Sequence, residues 1–285
     1  MNLFMDAPAK INLTLEVLGK RSDGYHDLLS AIQTVNLFDT LTLAPAEGIE
    51  LTCNIPALAS ADNLVVRAAI LFKAATGYRG GAAIHLHKRI PTAAGLGGGS
   101  SDAAATLKGL AQLWDFTDFP YDGLVEICTQ LGMDVPFFLR GGTSMVEARG
   151  DIVIPLPPLR PTHFVLVHPA IDIANKTAKM YGSLSPENYT TGEVTERLIG
   201  LLRESGRLCN SLLFNVFDTV AASVLPGIED EIERFAWIAG RPVVLSGAGP
   251  TLYCLASDRD DSERLRSNLA SSGFEAYSCQ SWTPT

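Results

Sequence analysis

The sequence predicts an α+β protein built from two domains. Within its 285 residues, segments with strand alternation are interleaved with segments of helical periodicity. A proline-rich stretch, IPLPPLRPTHF at residues 154–164, interrupts this pattern and is typical of an extended connector. We therefore expect an N-terminal domain over residues 1–157 and a C-terminal domain over residues 158–285.

Strands and helices are mixed in the first half of the chain. AKINLTLEV (9–17) alternates apolar and polar residues, which indicates a half-buried strand. LFDTLTLAP (37–45) and IELTCNI (49–55) have strand character and follow each other closely, which predicts an antiparallel meander. DNLVVRAAILFKAATG (62–77) carries one apolar stripe at helical spacing and ends in glycine. GAAIHLHKRIP (81–91) returns to strand alternation.

The helix that follows a glycine-rich loop is expected to reach about Trp114. A further helix is predicted over YDGLVEICTQLG (121–132), where the last glycine ends it. FVLV (164–167) is typical of a buried strand. VVLSGAGPTLYCL (243–255) places a second glycine-rich turn between two apolar strands.

Composition excludes several classes of protein. The chain is 47% hydrophobic and 19% charged, which predicts folded cores rather than disorder. Its net charge of −9, without any basic run, argues against a nucleic-acid partner. No apolar segment is long enough to span a bilayer, so no membrane partner is expected. Because the N-terminus resembles neither a signal nor a transit peptide, we expect a cytoplasmic location, or a plastid one if a transit peptide has been removed.

The cysteines form no C-x-x-C pair, and this predicts free or buried thiols in a reducing compartment. They are Cys53, Cys128, Cys209, Cys254 and Cys279.

The stretch PTAAGLGGGSSDAA (91–104) follows a predicted strand directly and leads into a predicted helix, so the local order is strand, glycine loop and helix. Glycines allow close backbone approach, and the first turn of a helix offers unpaired amide groups with a positive dipole end. We therefore favour a phosphate-binding loop over a flexible loop with an ordinary cap. The common nucleotide loop needs a lysine directly after the glycines, whereas the next lysine here is Lys108. A metal ion or a lysine distant in sequence must then neutralise the phosphate charge.

Two residues are candidates for the chemistry of such a loop. Lys10 lies beside Asn12 on the polar face of the first strand, although periodicity alone favours an ordinary exposed lysine there. Asp134, in LGMDVPFF, has an apolar sequence setting, where a carboxylate must find partners or shift its pKa. A structural role for Asp134, as the residue that caps the next turn, explains its position equally well. With a lysine partner, an aspartate can accept the proton of a substrate hydroxyl during phosphoryl transfer.

DGYH (23–26) combines a turn glycine with an aromatic ring and an imidazole. Tyr25 has the chemistry to stack on a base and His26 to hydrogen-bond its edge, but a hairpin turn explains the residues equally simply. The pair His85 and His87 on one strand face is too weak to predict a metal site, and no zinc spacing is present.

Taken together, these segments resemble the GHMP kinases, which include galactokinase and the homoserine, mevalonate and phosphomevalonate kinases. PTAAGLGGGSSDAA is similar to their signature loop, and VVLSGAGPTLYCL to their C-terminal glycine motif. AKINLTL, RSDGYH, GLGGGSSDAA and LGMDVPFF occur in the order found in one branch of the family. That branch phosphorylates a cytidine-diphosphate-linked methylerythritol in the non-mevalonate route to isoprenoids. The resemblance spans residues 7 to about 255.

The resemblance implies an ATP-dependent kinase in which Asp134 is the catalytic base and Lys10 the lysine beside it. It implies cofactor contacts from Asn63, near the adenine, and from the phosphate loop, with Mg²⁺ near Ser101. The loop residues are Thr92, Ala93, Ala94, Gly95, Leu96, Gly97, Gly98, Gly99, Ser100, Ser101 and Asp102.

The resemblance also implies the residues that hold the substrate. Asn12, Tyr25 and His26 match positions at the cytidine end. Thr177 and Tyr181 match a T-x-x-x-Y segment that flanks the cytosine, through an alignment with a two-residue insertion.

The fold implied is a ribosomal-protein-like N-terminal domain and a ferredoxin-like C-terminal domain with the active site in the cleft between them, as a monomer or homodimer. One departure stands out, because NVFD (215–218) has Val216 where the family often has an acid.

Three alternatives are weaker. A GHMP kinase for homoserine or mevalonate would not need DGYH. A catalytically inactive nucleotide sensor would be expected to lose Lys10 or Asp134. An RNA-binding protein does not fit the acidic charge.

Overall fold

The structure is a computed structural model, and it describes residues 2–208 and 210–284. Contacts divide the chain into two compact units. Unit 1 comprises Met1–Ala9, Leu37–Thr92 and Gly97–Arg140, and unit 2 comprises Lys10–Asn36, Ala93–Leu96 and Gly141–Thr285. Each unit gathers segments distant in sequence, and the domain boundary predicted between residues 157 and 158 stays a prediction.

The strands of unit 1 belong to β1 (Leu3–Lys20), β2 (His26–Ala46), β3 (Ile49–Cys53) and β4 (Gly81–His87). β4 lies between β2 and β3, antiparallel to β2 and parallel to β3. The antiparallel meander predicted from the short spacing is therefore wrong for β3. A parallel pair needs a crossover connection, and a helix supplies it between β3 and β4.

That crossover helix is α1 (Leu64–Thr76), and unit 1 also contains α2 (Gly98–Leu113), α3 (Tyr121–Leu131) and α4 (Val135–Arg140). The helices expected over 62–77, after the glycine loop and over 121–132 are confirmed. The small residues of α2 let it approach the strands closely, because a Cβ on Gly109 would lie 3.0–3.1 Å from atoms of Met5 and Leu43.

Unit 2 has two groups of strands. In the first, β5 (Thr143–Ala148) pairs with β2 and with β6 (Ile152–Pro155), all antiparallel. β8 (Phe214–Asn215) runs parallel to β1, with Thr14 opposite Phe214. The second group is an antiparallel sheet in the order β11, β7, β10, β9. Its strands are β7 (His163–His168), β9 (Val244–Leu245), β10 (Leu252–Ala256) and β11 (Glu275–Gln280).

Unit 2 has an apolar core that contains Phe217, Phe235 and Leu252, and it also contains several α-helices. They are α5 (Lys176–Gly182), α6 (Glu193–Ser205), α7 (Ala221–Val224), α8 (Ile228–Ala239) and α9 (Arg259–Ser271). Mixed helix and sheet in both units confirm the predicted α+β class. None of the helices seen in residues 2–208 and 210–284 has both the length and the apolar character needed to cross a membrane.

Candidate active site

The first half of the glycine loop lies in unit 2, where all four carbonyls of residues 93–96 accept hydrogen bonds. In order, the donors are Lys176 Nζ, Thr251 N (3.3 Å), Ser246 Oγ (3.2 Å) and Lys10 N (2.9 Å). The backbone of this segment is therefore held by β1, by α5 and by the second glycine-rich turn. The two glycine motifs identified in the sequence meet here.

Gly95 shows why this approach requires glycine. Its φ of +80° lies in the left-handed region, and a Cβ at this position would lie 2.2 Å from the carbonyl oxygen of Ser246. A side chain at residue 95 would therefore push the loop and the turn apart.

The second half of the loop lies in unit 1 and leads into α2. Gly97 precedes the helix with φ +70°, and Gly98, Gly99 and Ser100 form its first residues. Ser101 and Asp102 are buried in the same turn. Among the described residues, Ser101 Oγ and Asp102 Oδ1 have no hydrogen-bond partner. An unpartnered buried hydroxyl beside the free amides of a helix start has the chemistry to bind phosphate oxygens or a hard cation.

A buried ionic cluster supports that turn. Lys88 Nζ forms ion pairs with Asp39 and, at 2.7 Å, with Asp102. Asp39 Oδ1 also accepts the backbone N–H groups of Arg89 (2.6 Å) and Ile90 (2.8 Å). Burial and the nearby Asp39 raise the pKa of Asp102 above its usual range, although Lys88 opposes the shift. Sequence reasoning missed Lys88 and Asp39, and the only available signal was a lysine at the end of a strand beside the loop.

Lys10 is 4% exposed, so the interpretation as an ordinary exposed strand lysine is wrong. Its Nζ donates to Asn12 Oδ1 at 2.6 Å, and Asn12 Nδ2 donates to Ser30 Oγ at 2.8 Å. Both faces of this part of β1 are covered, which strand alternation by itself does not show. Gly247 has a φ of +55°, in the left-handed region, and a Cβ there would lie 3.2 Å from the carbonyl oxygen of Gly95 and 3.1 Å from Lys10 Nζ, so the second turn also favours glycine at this position.

Asp134 lies in unit 1 directly before α4 and is exposed. The expectation that this carboxylate has apolar surroundings is therefore wrong: Asp134 faces solvent, and its sequence neighbours Val135 and Phe137 are buried. At the other end of α4, Lys108 Nζ donates to the carbonyl of Phe138 at 3.1 Å.

An aromatic group in unit 2 brings together two of the predicted substrate residues. The His26 ring stacks on the Tyr181 ring with centroids 5.1 Å apart and an interplanar angle of 22°. Tyr189, which sequence reasoning missed, lies edge-on to His26 at 6.2 Å. Burial, together with the charge of Lys20, lowers the pKa of His26. Thr177 is exposed on the same helix as Tyr181.

Tyr25 lies in the turn between β1 and β2 and is 49% exposed. Its carbonyl accepts the N–H of Arg21 at 2.8 Å, and its own N–H donates to Asp23 Oδ1 at 3.1 Å. The guanidinium of Arg149 lies 5.5 Å from the centre of the Tyr25 ring. DGYH is thus a hairpin turn that still presents an aromatic ring to solvent.

Asn63 and Thr92, the remaining predicted cofactor residues, lie in unit 1. The Asn63 side chain caps α1 by accepting the N–H of Val65 at 2.9 Å, and it donates to the carbonyl of Leu58 at 2.8 Å. A role of Asn63 near the adenine stays a prediction.

The NVFD segment supports the second glycine turn. Asn215 Nδ2 donates to the carbonyls of Leu245 and Gly247, each at 2.9 Å. Val216 is fully buried in the core of unit 2, so the position that often carries an acid in the family has a packing role here. Asp218 accepts the N–H of Leu245 at 3.2 Å, and burial raises its pKa to about 7.

In the part of the chain that the structure describes, no three His, Cys, Asp or Glu side chains are grouped as a metal site would require. The cysteines at 53, 128, 254 and 279 are free thiols, and Cys209 lies outside the described residues.

Comparisons with known proteins identify the family of the chain. The GHMP kinases N terminal domain matches residues 63–142, and the GHMP kinases C terminal domain matches residues 195–275. A 4-diphosphocytidyl-2-C-methyl-D-erythritol kinase from Dehalococcoides mccartyi is 42% identical over 272 residues, which cover 95% of each chain. One from Pelotomaculum thermopropionicum is 38% identical over 91% of each chain.

Solved structures show the same similarity. A crystal structure of 4-(cytidine 5'-diphospho)-2C-methyl-D-erythritol kinase superposes with a TM-score of 0.84 at 32% identity, covering 98% of both chains. Homoserine kinase from Cytophaga hutchinsonii superposes with a TM-score of 0.73 at 18% identity, over 99% of this chain and 95% of its own. The second likeness shows the shared fold alone.

Proposed function

Because the chain belongs to the GHMP kinase family, we propose that it transfers the γ-phosphate of ATP to the 2-hydroxyl of 4-diphosphocytidyl-2-C-methyl-D-erythritol. The relatives that carry this activity in their names match almost the whole length of the chain. The reaction belongs to the non-mevalonate route to isoprenoids.

The observation that carries the choice of substrate is the aromatic group of His26, Tyr181 and Tyr189. A cytosine ring offers a flat π face and a hydrogen-bonding edge, and stacked aromatic side chains with an imidazole suit both. A small aliphatic alcohol has neither feature. We assign Tyr25, Thr177 and Asn12 to the same end of the substrate on the strength of their sequence matches.

We assign the ATP phosphates to the loop of residues 93–102. The carbonyls of residues 93–96 accept hydrogen bonds within unit 2, which hold this part of the backbone in place. The free amides at the start of α2 then meet the phosphate oxygens. Ser101 Oγ, which is buried and has no hydrogen-bond partner among the described residues, is the group proposed to hold Mg²⁺. A bound Mg²⁺ ion would neutralise charge on the phosphates.

Asp134 is proposed to accept the proton of the attacking hydroxyl, since an exposed carboxylate at the start of a short helix is accessible to a substrate. The Lys10 ammonium, oriented by its hydrogen bond to Asn12, is proposed to stabilise the negative charge that develops during transfer. Positioning and electrostatics together do most of the work in such reactions.

Phosphorus NMR of the purified protein tests this function. The protein is incubated with ATP and Mg²⁺ and either 4-diphosphocytidyl-methylerythritol, homoserine or mevalonate. We expect a new phosphomonoester resonance only with the cytidyl compound. Turnover of homoserine or mevalonate instead would reject the substrate and reduce Tyr25 and His26 to turn residues.

Absence of turnover with every alcohol, while ATP still binds, would point to a nucleotide sensor. The cytoplasmic location and the choice between monomer and homodimer stay predictions. Size-exclusion chromatography with light scattering measures the oligomeric state directly.

A further inference from the structure

Lys176 is a buried lysine to which the sequence motifs assign no role. It is 8% exposed and is the first residue of α5, the helix that also carries Thr177 and Tyr181. Its Nζ donates to two main-chain carbonyls, those of Ala93 and Gly249.

The two acceptors belong to the two glycine motifs. Ala93 begins the loop segment 93–96, and Gly249 lies in the turn of residues 246–250. Two further hydrogen bonds reach the loop segment from this region: Ser246 Oγ donates to Gly95 O at 3.2 Å, and Thr251 N, directly after the turn, donates to Ala94 O at 3.3 Å. Lys176 is the charged member of this set. Hydrogen bonds from a charged donor are about twice as strong as neutral ones.

If Lys176 formed a structural salt bridge, a carboxylate would contact its ammonium group. No ion pair among the described residues includes Lys176. The groups that act on it are Lys10 on β1, Asp172 in the loop before α5 and His168 at the end of β7. Burial and Lys10 lower the pKa of Lys176 to about 8, while Asp172 acts in the opposite direction. Burying a charged ammonium group costs free energy, so the position of Lys176 beside the phosphate loop calls for an explanation.

We propose that Lys176 is a positioning residue for nucleotide binding, which holds the loop segment 93–96 against the turn 246–250 through its two carbonyl contacts. The contacts of Lys176 are to backbone carbonyls, so we assign its effect on ATP binding to the shape of the loop. The same contact ties α5, with its two proposed substrate residues, to the phosphate loop. This inference rests on the ATP-binding part of the proposed function and is independent of which alcohol is phosphorylated.

The test measures binding of a non-hydrolysable ATP analogue with Mg²⁺ by isothermal titration calorimetry, without any acceptor alcohol. Lys176→Met removes the donors, and Lys179→Met, an exposed lysine on the same helix, is the matched control. At pH 7 we expect the dissociation constant to rise about tenfold in Lys176→Met and to stay within twofold of the wild type in Lys179→Met.

A pH series separates positioning from a general loss of structure. As the pH rises from 7 to 9.5, Lys176 loses its charge and its hydrogen bonds weaken. The wild type and Lys179→Met should therefore bind the analogue at least threefold more weakly at the higher pH. Lys176→Met has nothing to titrate at this position and should give a flat profile.

Wild-type affinity together with the wild-type pH trend in Lys176→Met would overturn the proposal. If that variant fails to fold, as judged by near-ultraviolet circular dichroism, the wild-type series decides, because a flat wild-type profile is equally incompatible with the proposal. Failure of the acceptor assay would reject the proposed substrate without changing these binding results.

Discussion

Among single residues, Asp134 and Lys10 differ sharply in their surroundings. Lys10 is buried and already hydrogen-bonded to Asn12, whereas Asp134 is exposed ahead of α4. Substitution of Asp134 should therefore affect catalysis with little effect on folding, which makes it the clearer test of a catalytic role.

We expect Asp134→Asn to lower kcat by about 10²–10⁴, equivalent to about 3–5 kcal/mol of barrier, because an amide cannot accept the hydroxyl proton. Steady-state kinetics with saturating ATP measures this loss, and the KM for ATP should change little. Asp118→Asn, an exposed aspartate of the same unit, is the control. Turnover of Asp134→Asn close to that of the wild type would remove Asp134 from the role of base.

Gly95→Ala tests the close approach of the two glycine motifs. The added Cβ would lie 2.2 Å from the Ser246 carbonyl at a φ of +80°, so the loop and the turn must separate. We expect at least a tenfold loss of affinity for an ATP analogue in a calorimetric titration. Gly200→Ala, where a Cβ meets nothing within 4 Å, should bind normally. Normal affinity in Gly95→Ala would show that the approach is dispensable.

What the sequence could predict differs between Lys10 and Lys176. Lys10 lies in a motif whose resemblance to a kinase family pointed to a site, yet strand alternation did not predict its burial because β1 is covered on both faces. No sequence pattern indicated a role for Lys176, because its hydrogen-bond acceptors are backbone carbonyls, which every residue type has. The candidate role of Asp134 stays a prediction, and its apolar neighbours in sequence are buried in the structure while Asp134 itself is exposed.

Among the elements, the helices and most strands could be predicted because their periodicity is local. Pairing was less accessible: β3 follows β2 closely but pairs with β4 across the helix α1. The ionic cluster of Asp39, Lys88 and Asp102 joins β2, the end of β4 and α2, so no single motif contains it.

Lys88→Met tests how that cluster supports the start of α2. Removing the cation leaves two buried carboxylates without compensation, and we expect the free energy of unfolding at pH 8 to fall by about 3–5 kcal/mol. The loss should shrink toward pH 5, because the carboxyl groups can then take up protons. Urea denaturation at the two pH values measures it, and Lys73→Met on α1 should change stability by less than about 1 kcal/mol. Equal stability of Lys88→Met and the wild type at pH 8 would contradict a supporting role.

At the scale of the whole molecule, buried acids set part of the dependence of stability on pH. Burial raises the pKa of Asp218 to about 7 in the folded state, against a reference value of 3.8. Between these values the folded chain holds a proton that the unfolded chain has released. The contribution of Asp218 to stability is therefore lost as the pH rises from about 4 to about 7.

Asp218→Asn removes this titration and keeps an oxygen that can accept the N–H of Leu245. We expect the variant to be more stable than the wild type at pH 8 by about 2–4 kcal/mol, with the difference disappearing near pH 4. Thermal unfolding across this pH range measures the difference, and Asp118→Asn should show none of it. A constant difference at every pH would mean that Asp218 does not titrate in this window.

The hydrogen bonds to residues 93–96 also impose an order on biosynthesis. Their donors are residues 10, 176, 246 and 251, so the segment is translated long before most of the groups that hold it. On the ribosome, the nascent glycine-rich stretch must wait until residue 251 has emerged before all four donors are present. Translation products that stop before residue 246 therefore lack two of the four donors that hold the loop.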